Sequence, residues 1–454
     1  MPRFLLVSLN IDAVLQETTI HRRRQKLNAM TGGLGLGDAY GATLDRIKGQ
    51  GGERARLGIA ALMWTSHSER PLKADELCHA LSVEIGSPHL NSDNVPSIGT
   101  LLACCQGLIT IDKEASIVRL IHYTLQEYLR AHPELFGAAH STMAETCLSY
   151  LNSQQVKAPP TRTSPYPQGT PFLGYSSQYW GVHAKRELSD CAKSLALKLF
   201  DDYSNHISTE ILLRRQGLYS IRTNLDKIYL FSGLHCASIF GVAELVTSLI
   251  EVEGCDINQI DCAGNTPLVW AAQCGHEEVV KILLGRDDID SEKPGTYGQT
   301  PLHCAAESGH EGVVKTLLGR DDVNPNKQNV WGQTPLLRAA GSGQEGVVKL
   351  LLGRDDVSPD KLTGGDTPLA RAARNGHEGV VKMLLELGDV DPNKLDAGGQ
   401  TLLHWAAGCG YEGVVKILLR RDDVNPQKLD NDGQTPLQLA VRHGHIEVVA
   451  LLQS

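Results

Sequence analysis

The chain has 454 residues, too many for one ordinary domain, so two or three are expected. Its formal net charge of −9 argues against a general nucleic-acid binder, and 5% aromatic content suits close-packed small-residue helices better than a β-sandwich. The 11 cysteines are scattered and form no CxxC, with Cys104–Cys105 the only adjacent pair, which fits reduced thiols rather than a disulfide framework or a zinc site.

Residues 4–16 carry apolar side chains at helical spacing. The apolar run at the start is too short for a signal peptide: Asn10 and Asp12 interrupt it, and no small-residue cleavage site comes after it. No stretch approaches the roughly 18 apolar residues that span a bilayer, so no membrane partner is expected. The expected compartment is the cytoplasm, with the nucleus as the alternative. Gly32-Gly33-Leu34-Gly35-Leu36-Gly37 fits neither GxGxxG nor GxxxxGK[ST] and is preceded by no strand, so it reads as a connector. A second helix begins at Tyr40.

From residue 53 the pattern changes. Helices are expected over 54–66, from Arg70 to about Leu81, and over 95–105. Two strands come next, Gly107 to Ile111 and Ser116 to Ile121, around an acidic turn, and a helix over 123–129 closes the unit. Three helices and a hairpin read as a winged helix. The third helix carries no Lys or Arg for phosphates or guanines, so direct nucleic-acid binding is not expected. Residues 158–171 are rich in Pro, Thr, Ser and Gly and read as an exposed loop. Helices resume over 175–203 and from Thr209, with the last segment expected to cover the N-terminal end of the C-terminal domain.

That domain is a repeat. Thr-Pro-Leu begins at Thr266, Thr300, Thr334, Thr367 and Thr435, Thr401-Leu402-Leu403 fills the gap, and Ser232-Gly233-Leu234-His235 is a degenerate first copy. The threonine is a helix N-cap and the proline suits the first helical turn. A slim inner helix with paired alanines ends at a glycine in each copy (Gly275, Gly309, Gly343, Gly376, Gly410, Gly444). An outer helix such as Glu311-Gly312-Val313-Val314-Lys315-Thr316-Leu317-Leu318 comes next, with one apolar stripe. Glycines two residues before each threonine (Gly298, Gly332, Gly365, Gly399, Gly433) allow a tight hairpin turn.

The run Gly298-Gln299-Thr300-Pro301-Leu302-His303, continued by Ala305-Ala306 and Gly309-His310, resembles the ankyrin consensus. The resemblance implies a solenoid that folds by stacking and binds proteins on the side formed by hairpin tips and inner helices. Partner information must sit where the copies differ. Tyr297 and Trp331 fall near hairpin tips, while Trp270, Arg338, Arg371 and Trp405 share one inner-helix position. Aromatic residues and arginine are the usual interface anchors, although Trp270 and Trp405 could equally fill gaps between helices. The recurring His276, His310, His377 and His445 read as loop hydrogen-bonders rather than a metal array. The paired aspartates, as in Asp321–Asp322, read as solvated loop charges. Ile446 to Leu452 keeps the internal apolar pattern, so the last repeat is expected to be uncapped and open to self-association.

Arg70-Pro71-Leu72 with Glu76-Leu77, and Val118-Arg119-Leu120-Ile121-His122-Tyr123-Thr124-Leu125, resemble the winged-helix region of fungal NLR-like NACHT/STAND proteins. That segment is also named after the GPI inositol-deacylase winged helix. Residues 4–12 and 40–47 resemble the segment upstream of it, and Pro171 to Ala184 the segment downstream. The resemblance places His122 where a nucleotide-contacting histidine would stand, but no P-loop precedes it; packing behind the wing is the alternative.

The expected class is mainly α, with a helical segment (1–52), a winged helix with a small β-hairpin (53–135), a helical linker with a Pro-rich loop (136–230) and a seven-repeat solenoid (231–454). The repeats divide at 232–265, 266–299, 300–333, 334–366, 367–400, 401–434 and 435–454. The expected function is a protein–protein interaction module or scaffold with an NLR-like regulatory role. The alternative is a transcriptional coregulator acting through a DNA-binding partner. No GxSxG, HExxH or phosphate loop is present, so neither an enzyme nor a bound cofactor or metal is expected.

Overall fold

The computed structural model describes residues 18–31, 36–157, 167, 169–216, 230–359, 366–387, 391–396 and 398–454. The helix expected over 4–16, most of the glycine connector and most of the Pro-rich loop lie outside them. Two compact units emerge, Met1–Ser220 and Ile221–Ser454.

The first unit opens with α1 (Ile20–Thr31) and α2 (Leu36–Gly49) and continues with α3 (Gly52–His67), α4 (Ala74–Ser82) and α5 (Ile98–Cys104). A hairpin comes next, β1 (Ile109–Asp112) against β2 (Ile117–Leu120), paired antiparallel with Ile109 opposite Leu120 and Ile111 opposite Val118. The Asp112 carboxylate accepts from the Glu114 and Ala115 amides and closes the turn. Helix α6 (Tyr123–Ala131) completes the winged helix.

One expectation shifts. The helix expected from Arg70 begins only at Ala74, because Pro71 disfavours helical geometry in the residue before it. The stretch from Leu72 to Lys73 runs extended along β2 instead, with Val118 N donating to Leu72 O at 2.9 Å and Ala74 N to Ser116 O at 2.9 Å. Arg70 and Glu76 then form a forked ion pair (2.8 and 2.6 Å), and Glu76 Oε2 also accepts from Lys73 N at 2.9 Å. Glu76 is buried. The Arg-Pro-Leu-x-x-x-Glu motif is therefore a clamp on the start of α4.

The stretch expected as a linker is no tether. Helices Ala139–Leu151, Leu173–Arg186, Asp190–Phe200 and Ile207–Arg215 belong to the same unit. Trp64 of α3 meets Phe172 and Tyr175 edge-on at 5.4 and 5.9 Å, and Phe172 meets Tyr150 at 5.3 Å. These four side chains are buried and give the unit one aromatic core.

The second unit is a stack of inner–outer helix pairs. In chain order they are Gly233–Phe240 with Ala243–Ile250, Pro267–Gln273 with Glu277–Leu284, and Pro301–Ser308 with Glu311–Leu318. Pro335–Gly341 with Glu345–Leu352 and Pro368–Arg374 with Glu378–Glu386 come next. Leu402–Cys409 with Glu412–Leu419 and Pro436–His443 with Ile446–Gln453 complete it. Inner helices pack on inner helices and outer on outer. The outer helices from Glu277–Leu284 to Glu412–Leu419 bury the valine–leucine stripe read from the sequence, as with Val313, Val314 and Leu317, whereas the last, Ile446–Gln453, buries only Val448. Among the described residues, no helix is long and apolar enough to cross a membrane.

Candidate interaction surface

The repeated residues hold the stack together, which is why they leave little for a partner. The Thr300 hydroxyl accepts from His303 N at 3.4 Å, and His303 Nδ1 in turn accepts from Thr300 N at 3.2 Å. That leaves Nε2 as the donor, and it reaches Gln333 O, at the end of its own repeat and next to the N-cap of the following one, at 2.9 Å. His404 repeats this with Gln434 O at 3.1 Å, and His235 with Gln259 O at 3.0 Å. Burial pushes the His303 imidazole down to about 4, so the ring is neutral at pH 7, as a single-donor role requires.

The second histidine set stitches in the opposite direction. His276, His310, His377 and His445 donate from Nε2 to Ile239 O, Gln273 O, Gly341 O and Gly408 O of the preceding repeat at 2.9–3.0 Å. Each ring lies over the left-handed glycine that ends the preceding inner helix: a Cβ at Gly275, φ +75°, would stand 2.6 Å from the His310 ring. No three metal-ligating side chains converge among the described residues.

The paired aspartates divide their labour. Asp288, Asp322, Asp356 and Asp423 each bind the arginine two residues before them, Arg286, Arg320, Arg354 and Arg421. Three of these arginines also donate to the preceding repeat, at Leu284 O, Leu318 O and Leu385 O. The Arg320 guanidinium holds the Asp322 carboxyl down at about 2.

Against this uniform frame the non-repeating residues stand out. Tyr297 and Trp331 occupy successive hairpin tips, 60% and 48% exposed, and their rings meet at 4.8 Å with 38° between planes. Val330, 67% exposed, extends the patch, and its amide donates to Tyr297 O at 3.0 Å. Asn329 Oδ1 accepts from Trp331 N and Gln333 N (3.0 and 2.9 Å), which fixes the turn that presents the indole. Tyr297 sits at φ 58°, ψ 24°, a left-handed conformation that costs a non-glycine residue about 1 kcal/mol or more. Two large exposed rings that meet on a left-handed turn set these hairpin tips apart from the repeated frame.

The four inner-helix candidates part company. Trp270 is fully buried, and its indole donates to Asp261 Oδ2 at 2.7 Å; it fills the space between helices. Trp405 makes the matching bond to Asp396 Oδ2 at 2.8 Å but keeps part of its ring accessible. Arg338 reaches back to Glu307 (Nε to Oε2, 3.1 Å) and across to Gln333 Oε1 at 3.3 Å. Arg371 binds Asp366 at 3.0 Å. Val330 and Arg374 were not singled out by the sequence. A β-branched residue beside Trp331 was the available signal for the first, and an arginine one turn after Arg371 for the second.

In the first unit, His122 is the N-cap of α6: its Nδ1 accepts from Thr124 N at 3.3 Å. Thr124 Oγ1 meets Tyr40 OH at 2.8 Å, which ties the cap to α2. Burial drives the His183 imidazole to about 3, and its Nδ1 lies 2.9 Å from that of His140.

Residues 234–329, 320–396 and 387–454 match ankyrin repeats in three copies, and residues 46–139 match the GPI inositol-deacylase, winged helix domain. Neither family is an enzyme's catalytic domain, although the second takes its name from a deacylase. None of the curated proteins compared matches the chain. Among solved structures, similarity is found to the ankyrin repeat domain of Bcl-3, a member of the IkappaB family. It is 25% identical over 49% of this chain and 97% of that one, with a TM-score of 0.42. The human ASB11 ankyrin repeat domain is 26% identical over 49% and 99%, at 0.42. The Bd0816 predatory endopeptidase from Bdellovibrio bacteriovorus in complex with immunity protein Bd3460 gives 28% identity over 41% and 96%, at 0.38.

Proposed function

We propose that this chain is a protein-interaction module that captures a partner protein on its hairpin-tip and inner-helix surface, in an NLR-like regulatory role. The observation that carries the reading is the exposed Tyr297–Val330–Trp331 patch, assembled from three residues that the repeat does not demand. Burying two such rings and a valine against a partner supplies several kcal/mol, at about 25 cal/mol per Å² of apolar surface. Arg338 and Trp405 extend the contact along the inner helices, and Trp270 supports it from inside. The regulatory part rests on the order of the matched segments, a winged helix at 46–139 ahead of ankyrin repeats at 234–454. Helix α5 has no basic side chain with which to grip a phosphate backbone.

Proximity labelling in the native cell, comparing the wild-type chain with a Tyr297→Ala, Trp331→Ala double variant, tests this. Partners enriched by the wild type should fall at least tenfold with the variant, at unchanged expression and melting temperature. An unchanged partner list moves the interface elsewhere on the chain.

A further inference from the structure

Three imidazoles from three helices of the first unit come together. His140 of the Ala139–Leu151 helix and His183 of the Leu173–Arg186 helix face each other Nδ1 to Nδ1 at 2.9 Å. Their rings stack with centres 5.2 Å apart, and His67, the last residue of α3, stands edge-on to His140 at 5.5 Å. His183 is buried and His140 half-buried. A contact of that length between two ring nitrogens is a hydrogen bond, and it works only with one N–H and one lone pair.

Tyr175 Oη lies 2.9 Å from His183 Nε2 and itself accepts from Glu69 N at 3.1 Å. Every partner is satisfied when the phenol donates to His183 Nε2, His183 Nδ1–H donates to His140 Nδ1, and His140 keeps its own proton on Nε2. Tyr175 is sealed from solvent, so the accessible end of this chain is His140. A proton arriving there must go to His140 Nδ1, which sets N–H against N–H. His183 makes room only by moving its proton to Nε2, where it displaces the Tyr175 hydroxyl proton from its acceptor. Either way a bond of the closed chain is lost, and in a buried site that is costly.

Burial holds all three imidazoles below the ordinary histidine range. Arg186 and His67 also oppose added charge on His140 and His183, while Glu69 and Glu187 favour it at His140. Arg130 of α6 bears on His67, and Cys147 on Tyr175. What the chain of bonds holds in place is the segment leaving α3. Tyr175 takes the Glu69 amide, its ring centre lies 5.3 Å from the Arg70 guanidinium, and Arg186 pairs with the Glu69 carboxylate. Arg70 in turn clamps Glu76, and Leu72 and Lys73 run on along β2. We propose that the His140–His183 pair is an acid-sensitive latch, fastening residues 68–73 of the winged helix to the Leu173–Arg186 helix and releasing them when it takes up a proton. The latch is closed above the ordinary histidine value of 6.5 and opens as pH falls below it, because the open state binds a proton that the closed one refuses.

Amide hydrogen exchange of the full chain reads the latch locally, as the protection of a peptide spanning residues 65–73 at pH 7 and pH 5, corrected for the intrinsic exchange rate. One histidine that titrates at 6.5 when open and not at all when closed favours opening about 25-fold across that interval. The expected result is a loss of protection of tenfold or more in the wild type, insensitive to low concentrations of urea because the opening is local. His140→Asn keeps an acceptor for His183 Nδ1–H but cannot take the proton, and should stay protected at both pH values. If that variant is already open at pH 7, Tyr175→Phe decides: it removes the acceptor of the Glu69 amide, so the peptide should be open at pH 7 and change by less than about threefold on acidification. A smaller loss in the wild type would overturn the proposal. So would exchange that quickens with added urea, as whole-unit unfolding does, or a loss of wild-type size in either variant.

Discussion

The stitch between neighbouring repeats predicts a specific coupling at Gly275. Gly275→Ala forces an L-residue to φ +75°, a strain of about 1 kcal/mol, and sets its Cβ 2.6 Å from the His310 ring. The ring must swing aside, which gives up the His310 Nε2 bond to Gln273 O, worth about 1 kcal/mol, along with its packing over the glycine. The total is about 2–3 kcal/mol. In a His310→Ala background nothing stands over the glycine and the bond is already gone, so the same substitution should cost only the backbone strain. The double-mutant cycle should therefore return about 1 kcal/mol or more of coupling. Urea unfolding, fitted with a nearest-neighbour description of the repeats, measures it. Additivity to within about 0.5 kcal/mol would refute the claim that the second histidine set works as an inter-repeat stitch.

Three further outcomes are expected from the geometry. Glu76→Ala leaves Arg70 unpaired and frees the Lys73 amide; discounted for the partial exposure of Arg70, it should cost the first unit about 2 kcal/mol in thermal unfolding. Burial depresses His183 to about 3, and His206 and His303 to about 4, below the usual 6.5. A depressed imidazole favours the fold above the unfolded value, so melting temperature should fall as pH drops from 6.5 towards 4. His303→Asn should make that slope shallower in the repeats, and an unchanged slope would count against its neutral, buried role. Tyr297→Gly should relieve the left-handed strain at little net stability change, within about 0.5 kcal/mol once glycine's added chain entropy is included, yet lose partner capture. Lower stability with capture intact would reverse the assignment of that residue.

The stack was legible because its chemistry is periodic: Thr-Pro-Leu caps, glycine stops and valine–leucine stripes recur at 33–34 residues and fold as read. The winged helix was legible through the switch from helical spacing to the alternation of Ile109 to Leu120. The position of Pro71 was the visible warning that α4 starts late. What the two histidine sets do was hidden, because their acceptor carbonyls lie 24–37 residues away, at the far end of the same copy for the first set and in the preceding copy for the second. Trp270 and Trp405 occupy the same repeat position and bond equivalent aspartates, yet one is sealed and the other open; only packing separates them. The exposure of Tyr297 and Trp331 was legible from their place at hairpin tips, but their ring contact, between residues 34 apart in sequence, was not. Asp366 was visible only as an acid in a column of amides; that it pairs with both Arg371 and Arg374 needed the structure.

The central claim, that the hairpin-tip surface meets the partner, is tested most directly by placing a photoreactive benzophenone side chain at position 331. A matched control carries it at Lys315, exposed on the outer helix of repeat 3. Irradiation in cells should crosslink a discrete partner protein from position 331 and none from 315. Crosslinks from 315 with none from 331 would contradict the account.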